Sequence, residues 1–127
     1  MLFDTDVLIW LSRGDAKAVK AVNTDSDRVI SAVTYMEFLA GCENKQKLAA
    51  FQKLLDVYDF EIIEISSSIS AMAGNLVYQY ALSHSLEMGD ALIAATAIKK
   101  GVMLLTANDK DYRFIGGLSI KKFRPTR

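Results

Sequence analysis

Met1-Leu2-Phe3-Asp4-Thr5-Asp6 decides how the chain is read. A short apolar run ends in two acids one residue apart, and the chain turns straight into Val7-Leu8-Ile9-Trp10-Leu11. The run is too short for a helix and predicts a buried strand. A carboxylate at the carboxyl end of such a strand, beside the next helix start, is where open α/β sheets place their chemistry. Burying two acids there is unfavourable unless a positive charge compensates them, and a metal ion is the usual candidate.

Working outward, Val7, Leu8, Trp10 and Leu11 fit one face of a short helix that Ser12-Arg13-Gly14-Asp15 ends. Residues 16–22 form a second, with Ala18, Val19 and Val22 inward. Residues 28–31 read as a buried strand. Thr34 opens the next helix and Gly41 closes it, and Asn44 leads a longer one with Leu48, Phe51, Leu54 and Leu55 on one face. Residues 60–65 have strand character. Ile69, Met72, Ala73, Leu76 and Tyr80 recur at intervals of three and four, which predicts a helix. Gly89-Asp90 starts a helix apolar on nearly every side, and Lys99-Lys100-Gly101 suits its carboxyl end. A buried strand at 102–106, a polar turn at 107–112 and a last strand near 118–120 complete the chain. Strands alternating with helices predict an α/β fold, a parallel sheet sandwiched by helices.

With 127 residues, the chain is expected to form one domain, 1–127. Lys plus Arg and Asp plus Glu number 15 each, so the net charge is zero. That balance argues against wrapping nucleic acid by bulk charge, though not against gripping it locally. The single Cys42 excludes a disulfide framework within the chain and a cysteine-based zinc site. Met1 leads into a strand without a basic n-region, and no run of 18 apolar residues exists. A cytoplasmic protein without a membrane span is expected.

Asp4, Glu37, Asp90 and Asp111 each fall at a strand end or helix start, on the expected carboxyl edge of the sheet. Helix amino-termini there favour carboxylates. Each acid also has a plainer explanation. Asp4 and Asp6 suit helix caps, Thr34-x-x-Glu37 is a capping box, Asp90 can cap its helix, and Asp109 and Asp111 are ordinary turn residues. The combination carries more than its parts: several carboxylates, no cysteine or histidine cluster, and one edge. Hard oxygen ligands select Mg²⁺ or Mn²⁺ and suit activation of water against a phosphodiester. His84, the only histidine, is expected at the surface, so no histidine-based nuclease mechanism is indicated.

At these positions the chain resembles the PIN-domain nucleases, and among them the VapC-type toxins of toxin–antitoxin pairs. Four stretches carry the resemblance: Leu2-Phe3-Asp4-Thr5-Asp6-Val7-Leu8-Ile9; Ser31 through Thr34-Tyr35-Met36-Glu37 to Gly41; Gly89-Asp90-Ala91-Leu92-Ile93-Ala94-Ala95-Thr96-Ala97; and Leu105-Thr106-Ala107-Asn108-Asp109-Lys110-Asp111-Tyr112. The resemblance implies a three-layer α/β/α sandwich and Mg²⁺- or Mn²⁺-dependent endoribonuclease activity. It places Asp4, Glu37 and Asp90 on the family's acidic triad and Asp111 on a more variable fourth acid, all as metal ligands. Thr5, Thr106 and Asn108 match supporting polar residues. A homodimer and inhibition by a cognate antitoxin are implied as well. Two departures stand out: Asp6 where the family usually has Asn, adding negative charge beside the metals, and Tyr112 for a usual Phe, expected to be mild. RNA grip then falls to rim cations, with Lys99, Lys100, Lys110, Arg113, Lys121, Lys122 and Arg124 as candidates.

Two rival readings remain at this stage. Phe3-Asp4-Thr5-Asp6-Val7 also resembles the opening motif of haloacid-dehalogenase-type phosphatases, with Asp4 as nucleophile. That reading finds no phosphate-holding lysine or later acidic pair in context and leaves Glu37 without a role. The other rival is a non-catalytic binding module whose acidic cleft receives a basic partner.

Overall fold

The computed structural model describes residues 1–126. In chain order the elements are β1 (Leu2–Phe3), α1 (Thr5–Ser12), α2 (Ala16–Thr24), β2 (Val29–Ser31), α3 (Ala32–Ala40), α4 (Lys45–Val57), β3 (Glu61–Ile63), α5 (Ser67–His84), α6 (Met88–Lys100), β4 (Leu104–Thr106), a 3₁₀ turn (Asp109–Asp111) and β5 (Ile120–Lys122). The five strands form one parallel sheet in the order β3-β2-β1-β4-β5. The chain starts at the centre, builds outward through β2 and β3, then returns to the other side of β1 with β4. The sheet therefore changes winding direction between β1 and β4, and a crevice opens there at the carboxyl ends of both strands.

Alternation along the strands divides the core in two. Leu2, Val29 and Leu104 face α5 and α6, together with Ile69, Ala73, Leu76, Ile93 and Tyr112. Phe3, Ile30 and Leu105 face the other way, onto Val7, Leu8, Leu11, Val22, Phe51 and Leu55 from α1, α2 and α4. Helices on both faces explain why the three central strands present apolar side chains to both sides, with polar Ser31 and Thr106 only at strand ends. The architecture is the α/β/α sandwich that the sequence predicts. Burying Phe3 alone stabilises the fold by roughly 1.5–3 kcal/mol, and its ring meets Phe60 edge-on at 5.3 Å.

Element boundaries shift from the sequence reading by a few residues. The last strand is Ile120–Lys122 rather than 118–120, and the strand read at 102–106 is confined to Leu104–Thr106. The helix read from the 69–80 periodicity extends to Ser67–His84, with Ser66 accepting from Ile69 N at 3.2 Å as its cap. α6 is buried along most of its length through Ala91, Ile93, Ala94, Ala95, Thr96 and Ala97. It ends at Gly101, whose φ of 70° is the left-handed conformation that glycine adopts without a steric penalty. Among the described residues no helix is long and apolar enough to cross a membrane.

Candidate acidic site

Asp4 follows β1 at the crevice and caps α1, accepting from Thr5 N at 2.8 Å through Oδ1. Its Oδ2 accepts from Thr106 Oγ1, at the end of β4, at 2.7 Å. Thr106 Oγ1 itself accepts from Asn108 N at 3.0 Å, so its own proton is left to point at Asp4. Asp4 is only 6 % exposed and has no cationic partner among the described residues. Burial, and next the nearby Asp6 charge, push its carboxyl up to about 6.

Asp90 lies in the first turn of α6. The helix dipole there favours its charged form, yet burial outweighs this and raises the carboxyl to about 6, with the charges of Asp4, Asp111 and Glu37 acting in the same direction. Tyr112, with its ring buried, donates from its hydroxyl to Asp90 Oδ1 at 3.2 Å. Asp90 does not cap α6: the cap position is Glu87, which makes no side-chain cap bond.

Glu37 also departs from its plainer reading. α3 begins at Ala32, with Ser31 as cap accepting from Val33 N at 3.0 Å, so Thr34 and Glu37 form no capping box. Thr34 is instead fully buried. Glu37 Oε1 accepts from Thr5 Oγ1 at 2.6 Å, and that hydroxyl also pairs with Thr34 Oγ1 at 3.1 Å. The residue beside Asp4 thus reaches the helix that carries Glu37. A Cβ added at Gly89 would stand 3.2 Å from Glu37 Oε2, so the glycine lets the start of α6 approach that carboxylate closely.

Asp6 is no cap either, since Asp4 holds that place. Its Oδ2 reaches across the crevice to accept from Ala107 N at 3.0 Å and Asn108 Nδ2 at 2.8 Å. Its Oδ1 is buried without a hydrogen-bond partner among the described residues, and burial raises its carboxyl above the usual range. Asp111 sits exposed in the 3₁₀ turn after β4, close enough for Asp90 and Asp6 to feel its charge. Asp109, two residues earlier, is structural: Arg124 Nη2 lies 3.0 Å from Oδ1 and Lys122 Nζ 3.7 Å from Oδ2.

The crevice therefore gathers Asp4, Thr5, Asp6, Glu37, Asp90, Thr106, Asn108 and Asp111 around one sheet edge. Among the described residues no three acidic, histidine or cysteine side chains converge tightly enough to form a ready cage. Magnesium asks for no such cage, because it keeps several waters and takes one or two carboxylates. An all-oxygen donor set, uncompensated charge on Asp4 and Asp90 and an orphaned Asp6 oxygen fit a hard divalent cation. Lys99 and Lys100 do not fit the rim assigned to them: they end α6 some 15 Å along its axis from Asp90. Sequence reading missed two features, the Arg124–Asp109 pair and the Tyr112 hydroxyl. The second had a signal, because a tyrosine in an apolar helix-packing context needs a partner for its hydroxyl.

Comparison with known proteins agrees with this geometry. Residues 1–118 match the PIN domain family. The chain is 32 % identical to ribonuclease VapC1 of Rickettsia felis, over 94 % of this chain and 93 % of that protein. Among solved structures, a toxin–antitoxin complex from Klebsiella pneumoniae contains a chain 31 % identical at a TM-score of 0.75, covering 96 % of this chain and 98 % of that one. VapBC2 of Rickettsia felis, bound to a DNA fragment from its promoter, has a chain of the same fold at a TM-score of 0.81 and 18 % identity, covering 97 % and 98 %. The winding reversal at β1 and β4, the acids that meet there and the relatives that share the whole length lead to one conclusion: the chain belongs to the PIN-domain family and, within it, to the VapC type.

Proposed function

We propose that this chain is a Mg²⁺- or Mn²⁺-dependent endoribonuclease, the toxin of a toxin–antitoxin pair, with Asp4, Glu37, Asp90 and Asp111 as its acidic groups. The observation that carries the reading is the pair Asp4 and Asp90 at the sheet's switch point, both raised to about 6 by burial with no cation beside them among the described residues. Such a pair is held for a charge that comes from outside. When bound, a divalent cation polarises a phosphate and lowers the pKa of water, the chemistry phosphodiester hydrolysis needs. The chain's own part is to hold the acids. Thr106 and the Thr5 amide orient Asp4, the Thr5 hydroxyl holds Glu37, and Asp6 straps the segment leading to Asp111 across the crevice. Arg124, Lys122 and Lys110 lie on the Asp111 side of the site and suit contact with flanking phosphates.

An antitoxin partner suits the groove of ≈ 430 Å³ between α1, α3 and α4. Ile9, Phe38, Phe51 and Leu54 line it, while Arg13 and Glu37 stand at its margins. Because Glu37 belongs to both groove and acidic site, a segment seated in the groove reaches the acids. Exposed Tyr78 and Leu82 on α5, with Met36 and Met88 near the site, supply apolar surface for a homodimer. The phosphatase reading needs Asp6 as a free acid, whereas its Oδ2 already serves two donors.

The test is cleavage of a mixed cellular RNA pool by partner-free protein in Mg²⁺, Mn²⁺ or EDTA. Discrete fragments are expected with either metal, none with EDTA, and Asp90→Asn should lower the rate by more than about 100-fold, beyond the usual loss of a supporting residue. Intact RNA in every lane, from folded wild-type protein, overturns the proposal.

A further inference from the structure

Tyr112 stands where the core meets the acids. The residue is 1 % exposed and packs with α5 and α6, and its hydroxyl reaches the acidic edge. It donates to Asp90 Oδ1 at 3.2 Å, the only hydrogen bond to that carboxylate among the described residues. The phenol hydroxyl, carried on a buried ring, is thus a fixed donor to that carboxylate.

We propose that Tyr112 is a positioning residue for cation uptake: its hydroxyl, bonded to Asp90, holds that carboxylate where it and Asp4 can serve one hard divalent cation. This rests on the metal-dependent reading above, and the test separates the two. Two acids close together with no cation repel one another, and Asp90, only half-buried at the start of α6, is free to turn to solvent once its donor is gone. The aromatic ring is anchored by the core, so the hydroxyl is held at the site by packing rather than by a mobile stem. Outer-shell partners of this kind orient a carboxylate before the cation arrives.

Mn²⁺ binding to the full-length, partner-free protein can be measured by titration calorimetry for wild type, Tyr112→Phe and Tyr80→Phe. Tyr112→Phe keeps the ring and its packing, which a thermal melt verifies. Tyr80, packed on Phe114 and His84, controls for loss of a tyrosine hydroxyl elsewhere. The expected result is Mn²⁺ affinity roughly tenfold weaker or more in Tyr112→Phe and unchanged in Tyr80→Phe. The Mn²⁺ concentration that half-saturates RNA cleavage should move by the same factor. Binding in Tyr112→Phe as tight as wild type, or tighter, overturns the tyrosine's role alone. Wild-type protein that takes up no Mn²⁺ overturns the metal reading and this inference with it.

Discussion

Asp4 and Asp109 sit on the same side of the sheet, after neighbouring strands, and are buried alike at 6 % and 5 % exposed. Their electrostatics are opposite. Asp109 is held below the usual carboxylate range, first by its hydrogen bond from Arg124 and then by the charges of Lys122 and Arg124. Among the described residues Asp4 receives only neutral donors, and it is pushed up to about 6. Equal burial thus leaves the two acids in opposite electrostatic states. A partner cation makes the difference, because a buried carboxylate without one shifts toward its neutral form.

Replacing each acid by its amide puts that contrast to the test, and Asp4→Asn should have the larger effect. The folded protein keeps the Asp4 proton up to about pH 6, while an unfolded chain releases it near 3.8. Wild type therefore loses stability from this group as pH rises through that window, and the amide does not. Relative to pH 4, Asp4→Asn should be more stable than wild type at pH 7 by as much as ~3 kcal/mol. Thermal melts between pH 4 and 8 check this, and Mn²⁺ should raise the melting temperature of wild type only. A gap between variant and wild type that does not move in the variant's favour from pH 4 to pH 7 would contradict the account of Asp4.

Asp109→Asn should behave in the reverse sense. A lowered carboxyl adds stability above its unfolded value of 3.8, and that contribution disappears as pH falls through the folded one. The variant should melt a few degrees below wild type at pH 7, the gap should close in acid, and Mn²⁺ binding should persist. Mn²⁺ uptake lost with Asp109 would erase the distinction between the two acids.

The smallest effect is expected at Gly89→Ala. The added methyl would stand 3.2 Å from Glu37 Oε2, so that carboxylate must shift by a few tenths of an ångström. Alanine's better helix propensity, about 1 kcal/mol, offsets the crowding. Stability should change little while RNA cleavage slows several-fold. An unchanged cleavage rate would show that Glu37 tolerates displacement.

Periodicity made the layers legible, because Leu2-Phe3, Val29-Ile30 and Leu104-Leu105 alternate between two cores that both demand apolar side chains. The acids were legible as positions on one edge. Their individual roles were not, since helix starts are set by competition among several eligible caps. Ser31 won over Thr34, and Asp4 over Asp6. Released from capping, Glu37 and Asp6 turn to partners 32 and 102 residues away in sequence, which no local pattern encodes. Asp109 and Arg124, 15 residues apart, were hidden for the same reason.

The central place of β1 sets when the acidic edge can first form. Its hydrogen-bonded neighbour on one side is β4, and Asp4 meets Thr106 across 102 residues of chain. Until that late segment has emerged from the ribosome, Asp4 lacks its orienting hydroxyl and Asp90 lacks Tyr112. Contacts of such long sequence separation form late in folding. The acidic edge is thus assembled only once β4 has docked beside β1, and Asp4 is oriented by a residue 102 positions further along the chain.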